Sequence, residues 1–222
     1  PAYDRLRSEA PAWRNAVGTI VVTRYDDVAR TLRSNDFSRD VEANAHPSDD
    51  PVIQRRRQRR RDGAAKTILN LDPPDHTRLR RLVTQAFTPS AIQRLRPRIE
   101  TMVDEVLDRA AETGEMELID DLAFPVPFLV ISELLDMPTD RGEELRDWSQ
   151  TLTASLEPTA DIGTLEAADA AIGQLAPYMW GVIEDRRRNP GDDVLSRLIA
   201  AEEEGDRLSE AELISFVILL YV

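Results

Sequence analysis

Hydrophobic positions recur at helical spacing along most of the chain and alternate with a period of two only near its start. The β-branched run Thr19-Ile20-Val21-Val22-Thr23 predicts a strand, hairpinned with 12–16 across Gly18. Val28, Ala29 and Leu32 then share the inner face of a short helix predicted over 26–33. From 34 to 70 the periodicity disappears and Asp, Asn, Pro and Arg accumulate, so this stretch reads as a long functional or disordered loop.

From Asp72 the pattern becomes strongly helical. Asp72 is placed to cap a helix with Pro73 and Pro74 in its first turn, where a missing amide proton costs nothing. Thr88-Pro89 closes that helix and caps the next, which runs to about Thr113 and stops at Gly114. Glu117-Leu118-Ile119-Asp120 reads as a short strand. Helices are predicted over 128–135, after Pro125 and Pro127 and before Met137-Pro138, and then over 139–156, 164–188 and 192–203. No repeat period is visible. The fold class is mainly α with a small β part.

Ser209-Glu210-Ala211-Glu212 forms a capping box, and the helix that it opens is apolar nearly all round from Leu213 to Val222. Such a helix is buried on every side, and the run falls well short of the roughly 20 residues that cross a bilayer. The expectation is a chain interrupted inside a buried helix.

Composition narrows the chemistry. With 41% hydrophobic and 31% charged residues, the 222-residue chain reads as soluble, globular and cytoplasmic, with no membrane association. It holds no cysteine, which removes disulfides, thiolate ligands and cysteine nucleophiles. His46 and His76 are its two histidines, so a conventional zinc site is not expected, and no metal ligand is assigned within this chain. A net charge of −13 argues against nucleic acid as a partner.

On the helix after Asp72, Leu79, Leu82, Val83, Ala86 and Phe87 make one apolar stripe. His76 and Arg80 lie four residues apart on a side that overlaps the stripe, whereas Arg78, Arg81 and Gln85 fall on the opposite, wet face. An inward Arg is costly unless an anion meets it. Two anions would serve: an internal carboxylate, or a ligand held by two charge-assisted donors.

The string Asn70-Leu71-Asp72-Pro73-Pro74-Asp75-His76-Thr77-Arg78-Leu79-Arg80-Arg81 resembles the haem-side C-helix of soluble bacterial cytochrome P450s. Other segments are similar to that family in the same order. Val22-Thr23-Arg24-Tyr25-Asp26-Asp27-Val28 resembles the first strand and the B-helix start, and Phe87-Thr88-Pro89 the C-to-D junction. Ile131-Ser132-Glu133-Leu134-Leu135-Asp136-Met137-Pro138 is similar to the E-helix ending, and the helix after Ser209 to the start of the I-helix.

The resemblance implies a P450 fold, incomplete in this chain. Residues 1–222 would be the N-terminal portion of a single domain, with 38–70 as the B–C loop, 72–87 as the C-helix and 209–222 as the start of the I-helix. It implies that His76 and Arg80 bind the propionates of haem b, whose Cys ligand is expected downstream of Val222. Ile68, Leu69, Leu219 and Val222 would contact haem or substrate, with the segment near 151–158 as a roof; plain core packing is the other reading of each apolar residue. Arg78 and Arg81 would belong to the surface facing a ferredoxin-type electron donor, itself served by a reductase, or would simply be a solvated face.

No catalytic residue is assigned within this chain. The implied activity is that of a haem-thiolate monooxygenase hydroxylating or epoxidising a small, possibly carrier-protein-bound molecule of secondary metabolism. The 222 residues alone are expected to be inactive. The alternative is a haem-less, P450-like auxiliary protein that activates a partner enzyme. The run Arg55-Arg56-Arg57-Gln58-Arg59-Arg60-Arg61 reads either as a solvated loop tip or as a docking site for an anionic substrate or acyl carrier.

Overall fold

The computed structural model describes residues 2–15, 18–40, 49–61, 67–138, 140–157, 160–203 and 206–222, with backbone alone for 59–61 and 202–203. They fall into two units, Pro1–Val41 and Glu42–Val222.

In the first unit, helix α1 (Ala2–Glu9) precedes an antiparallel hairpin of β1 (Ala12–Arg14) and β2 (Ile20–Val22), followed by helix α2 (Tyr25–Arg33). The hairpin register pairs Ala12 with Val22, Trp13 with Val21 and Arg14 with Ile20. Its turn closes when the Asn15 amide donates to the Thr19 carbonyl and the Thr19 amide to Asn15 Oδ1, each at 2.9 Å, and Gly18 takes a φ of 86° that favours glycine. Helix α1, which the sequence pattern did not announce, buries no residue. On α2, Val28 and Ala29 are half-buried as expected, but Leu32 is exposed.

The second unit is helical almost throughout. Helix α3 (Pro51–Arg61) lies inside the stretch expected to be a loop. Its residues form a helix through propensity rather than periodicity: Pro51 opens it, Asp50 Oδ1 accepts from the Val52 and Ile53 amides at 2.8 and 3.3 Å, and Arg and Gln are good helix formers. A 3₁₀ turn at Ile68–Asn70 leads to α4 (Asp75–Ala86) and α5 (Pro89–Thr113). Thr88 Oγ1 caps α5 by accepting from the Ala91 amide, and Gly114, at a φ of 77°, ends it.

Residues 117–120 are not a strand. Leu118–Ala123 forms a π-helical turn in which the Glu117 carboxylate accepts from the Ile119 and Asp120 amides, while Asp121 accepts from the Glu117 amide at 2.8 Å. With those amides satisfied locally, little is left to build a ladder.

Helices α6 (Pro125–Leu134), α7 (Gly142–Ala154), α8 (Ile162–Arg188) and α9 (Val194–Ala200) follow. Helix α6 starts three residues earlier than expected because Pro125 itself occupies the first turn. Helix α9 stops short of 203, where β3 (Glu202–Glu203) pairs with β4 (Asp206–Arg207). Helix α10 (Glu210–Tyr221) opens with both halves of the capping box in place: Ser209 Oγ accepts from the Glu212 amide and Glu212 from the Ser209 amide.

The core of this unit is built around α8, which buries Ala168, Ala171, Leu175, Met179, Val182 and Ile183 against α7, α9 and α10. Helix α10 inserts Leu213, Phe216, Val217 and Tyr221 into the same core. Helix α4 lies mainly on α9 and buries Leu79, Leu82, Val83 and Ala86, with Phe87 half-buried, so the predicted stripe is the buried face. Among the described residues, no helix is long and apolar enough to cross a membrane.

Candidate functional site

Helix α4 begins at Asp75, with Pro74 rather than Asp72 at its N-cap. A residue before proline is disfavoured in the α region, so Asp72 and Pro73 stay outside. The Asp72 and Pro74 carbonyls still serve the helix, accepting from the His76 and Arg78 amides at 3.0 Å each. The start of the helix is therefore pinned just ahead of the residues of interest.

His76 is half-buried and Arg80, one turn later, is exposed. Among the described residues, neither side chain has a hydrogen-bond or ion-pair partner. The internal carboxylate considered for Arg80 is thus not found there. What the helix offers is two nitrogen donors in one row beside its apolar face, suited to an anion with two acceptor groups.

Arg78 departs from expectation. It does not sit on a water-facing surface but is only 27% exposed, pairing with Glu212 of α10 and, at 3.4 Å, with Asp206 of β4. Glu212 is 18% exposed, and its second oxygen accepts from the Ser209 amide at 2.8 Å. Burial opposes the charge on Arg78, yet the Glu212 and Asp206 carboxylates outweigh it and raise the guanidinium above its usual pKa. At about 100° per residue, Arg78 and Arg80 stand at similar angles on opposite sides of the stripe centre. The wheel alone could not tell which of the two would be taken inward. Arg81 is exposed, as expected.

The expected apolar wall is only partly assembled. Ile68 is half-buried and packs against the core, whereas Leu69, its neighbour in the 3₁₀ turn, is 59% exposed. Leu219 and Val222 are both half-buried. Val222 lines a cleft of about 240 Å³ with Phe124, Phe128, Ile131, Thr153 and Leu220, and Leu219 is not among its walls. Of the proposed roof, residues 151–154 complete α7, where Leu152 is buried in the core; Pro158 lies outside the described residues.

Sequence reasoning missed the polar contacts that seat the end of α10. Tyr221 donates its phenol to Ser132 Oγ at 3.1 Å and meets the Phe128 ring edge-on at 5.5 Å. The Ser149 hydroxyl donates to the Tyr221 carbonyl, and Thr153 Oγ1 donates to the Val222 carbonyl at 3.3 Å. Burial raises the Tyr221 phenol well above its ordinary value. No local sequence signal marks contacts between residues so far apart in the chain.

The arginine run is a helix rather than a loop tip, with Arg55 and Gln58 exposed on it. Arg56 donates to the Leu165 carbonyl and to Asp169 of α8, both at 2.7 Å, and Arg55 stands 3.9 Å from Glu166. The side chains of residues 59–61 lie outside the described ones. Among the described residues, no cluster of His, Asp and Glu is arranged to hold a metal ion.

No family model matches the chain. Whole-chain comparison does find relatives. Cytochrome P450 107B1 of Saccharopolyspora erythraea is 40% identical over 230 residues, covering 99% of this chain and 54% of the relative. The polyketide biosynthesis cytochrome P450 PksS of Bacillus subtilis is 35% identical, covering 98% of this chain and 50% of the relative. Among solved structures, P450BioI in complex with a hexadec-9Z-enoic acid-ligated acyl carrier protein superposes with a TM-score of 0.83 at 27% identity, over 99% of this chain and 55% of the other. The chain spans about half the length of the curated relatives it matches. The ordered motifs, the helical architecture and near-complete coverage of the chain agree: these residues belong to the cytochrome P450 superfamily, of the bacterial type.

Proposed function

We propose that the protein containing these residues is a haem-thiolate monooxygenase that hydroxylates or epoxidises a small organic substrate in secondary metabolism. On this reading residues 1–222 are the N-terminal portion of one P450 domain. Residues 38–70 form the B–C loop, 72–87 the haem-side C-helix and 209–222 the start of the I-helix.

The observation that carries this reading is the His76–Arg80 row on α4, free of side-chain partners among the described residues. Haem b bears two propionate carboxylates, and the row fits them. Arg80 offers a planar fork of N–H donors and His76 a ring N–H. When bound, the haem supplies the oxygen-activating chemistry, its thiolate ligand coming from sequence beyond Val222. The residues of this chain would orient and enclose: half-buried Ile68, Leu219 and Val222, with the more exposed Leu69, are assigned as apolar contacts to haem or substrate.

Electrons would come from a ferredoxin-type donor and its reductase. Exposed Arg81 keeps its assignment to the donor-facing surface, while Arg78 does not. A carrier-bound substrate is supported by the relatives, one serving polyketide biosynthesis and another solved with an acyl carrier protein. Arg56 is engaged with Asp169 of α8, which counts against its use in docking a carrier on α3.

The test is a reduced carbon monoxide difference spectrum of the complete protein. A strongly red-shifted Soret band is expected. Its absence overturns the monooxygenase reading and favours the haem-less auxiliary protein.

A further inference from the structure

Arg78 stands between the two residues assigned to the haem propionates, yet it points elsewhere and is committed to two carboxylates. One of them, Glu212, already fixes the first turn of α10 through its reciprocal bonds with Ser209. The other, Asp206, belongs to the hairpin that leads into that turn. A guanidinium presents its N–H groups in a rigid plane, so two acceptors on it constrain direction as well as distance. Helix α4 otherwise rests on α9 through aliphatic side chains, a contact that tolerates small rotations better than a fork of charged bonds does. Phe87 adds a ring contact to Phe216 of α10, edge-on at 6.2 Å, from the far end of α4. Helix α4 is thus joined to α10 at both of its ends, by ions at one and by rings at the other.

Resting on the function proposed above, we propose that Arg78 is a positioning residue. By bonding to Glu212 and Asp206 it sets the rotation of α4 about its axis, and with it the direction in which His76 and Arg80 present their donors. It also ties that row to the helix whose Leu219 and Val222 are assigned to the pocket. Arg78 itself touches neither of the two donors' side chains among the described contacts.

The experiment is a double-mutant cycle on the complete protein, using Arg78→Met and Glu212→Gln, with hemin affinity of the apoprotein as the readout. Glutamine at 212 can still accept from the Ser209 amide, so the capping box survives while the charge opposite Arg78 is lost. Each single variant should weaken hemin binding roughly tenfold, and the double variant no more than the worse single. Arg78→Lys, which keeps the charge but not the fork, should fall between wild type and Arg78→Met. A purely structural ion pair would lower the melting temperature of the apoprotein and leave hemin affinity within about twofold, and that result overturns the proposal. Additive losses in the cycle would overturn it too. If the wild-type protein itself binds no hemin, the functional reading fails and the positioning role fails with it. If wild type binds and the variants bind equally well, only the positioning role fails.

Discussion

Single side chains account for most of what distinguishes this chain chemically. Tyr221 is the clearest case, because its phenol is buried and its pKa is raised. The folded state therefore holds the phenolic proton at pH values where an unfolded chain, with tyrosine near pKa 10, releases it. The stability that this supplies is fully present below about pH 10 and is lost as pH rises above it. In a spectrophotometric titration, Tyr221→Phe should remove one late-ionising tyrosine and flatten the loss of stability above that pH. Amplitude lost near pH 10 instead would place the phenol in contact with solvent. At this scale the sequence was legible where a residue acts through its neighbours in the chain, as in the Ser209–Glu212 box. It was not legible for Arg78, whose partners lie 128 and 134 residues away and whose wheel angle mirrors that of Arg80.

Helices were readable from periodicity, and their ends from capping chemistry. Thr88 and Ser209, both read as caps, accept from an amide in the first turn of their helix; Asp161 and Asp193 do the same but were not read from the sequence. Where the ends moved, proline geometry or local carboxylate–amide bonds had overridden the apolar pattern, as at α4 and at the π-helical turn. Helix α3 was hidden because arginines and glutamines support a helix without marking a face.

Two predictions belong to this scale. Leu79 is 2% exposed on the buried side of α4, and Leu79→Ala should cost about 2–5 kcal/mol in urea unfolding. A loss below ~1 kcal/mol would mean that the stripe is not packed as described. At the start of α9, a Cβ on Gly191 would come within 2.6 Å of Asp193 Oδ2. That carboxylate is buried and held by the Ser196 amide and hydroxyl, each at 2.7 Å. Gly191→Ala should therefore displace the cap and destabilise the fold by about 1–3 kcal/mol, seen as a lower urea midpoint at unchanged slope.

For the whole molecule, the class was legible as mainly helical with a small β part, and the order of motifs was enough to suggest the family. The hairpin in 1–41 and most helices in 42–222 were legible in their own segments, whereas α1, α3 and the division into two units were not. What no pattern showed is which helix faces meet, since α4 and α10 find each other across 134 residues, from Arg78 to Glu212. The candidate site divides the same way. His76 and Arg80 were readable as a row, whereas the ties that hold the row against α10 depend on tertiary packing.

The central claim is that α4 carries a seat for the haem propionates. Hemin titration of the complete apoprotein, followed by Soret absorbance, tests it most directly when wild type is compared with a His76→Ala/Arg80→Ala double variant. Hydrogen bonds to charged groups are worth about 1.5–3 kcal/mol each, so the double variant should bind hemin at least about a hundredfold more weakly. Its urea midpoint without hemin should stay close to wild type, because neither side chain has a partner among the described residues. Equal hemin affinity in the two proteins would contradict the account.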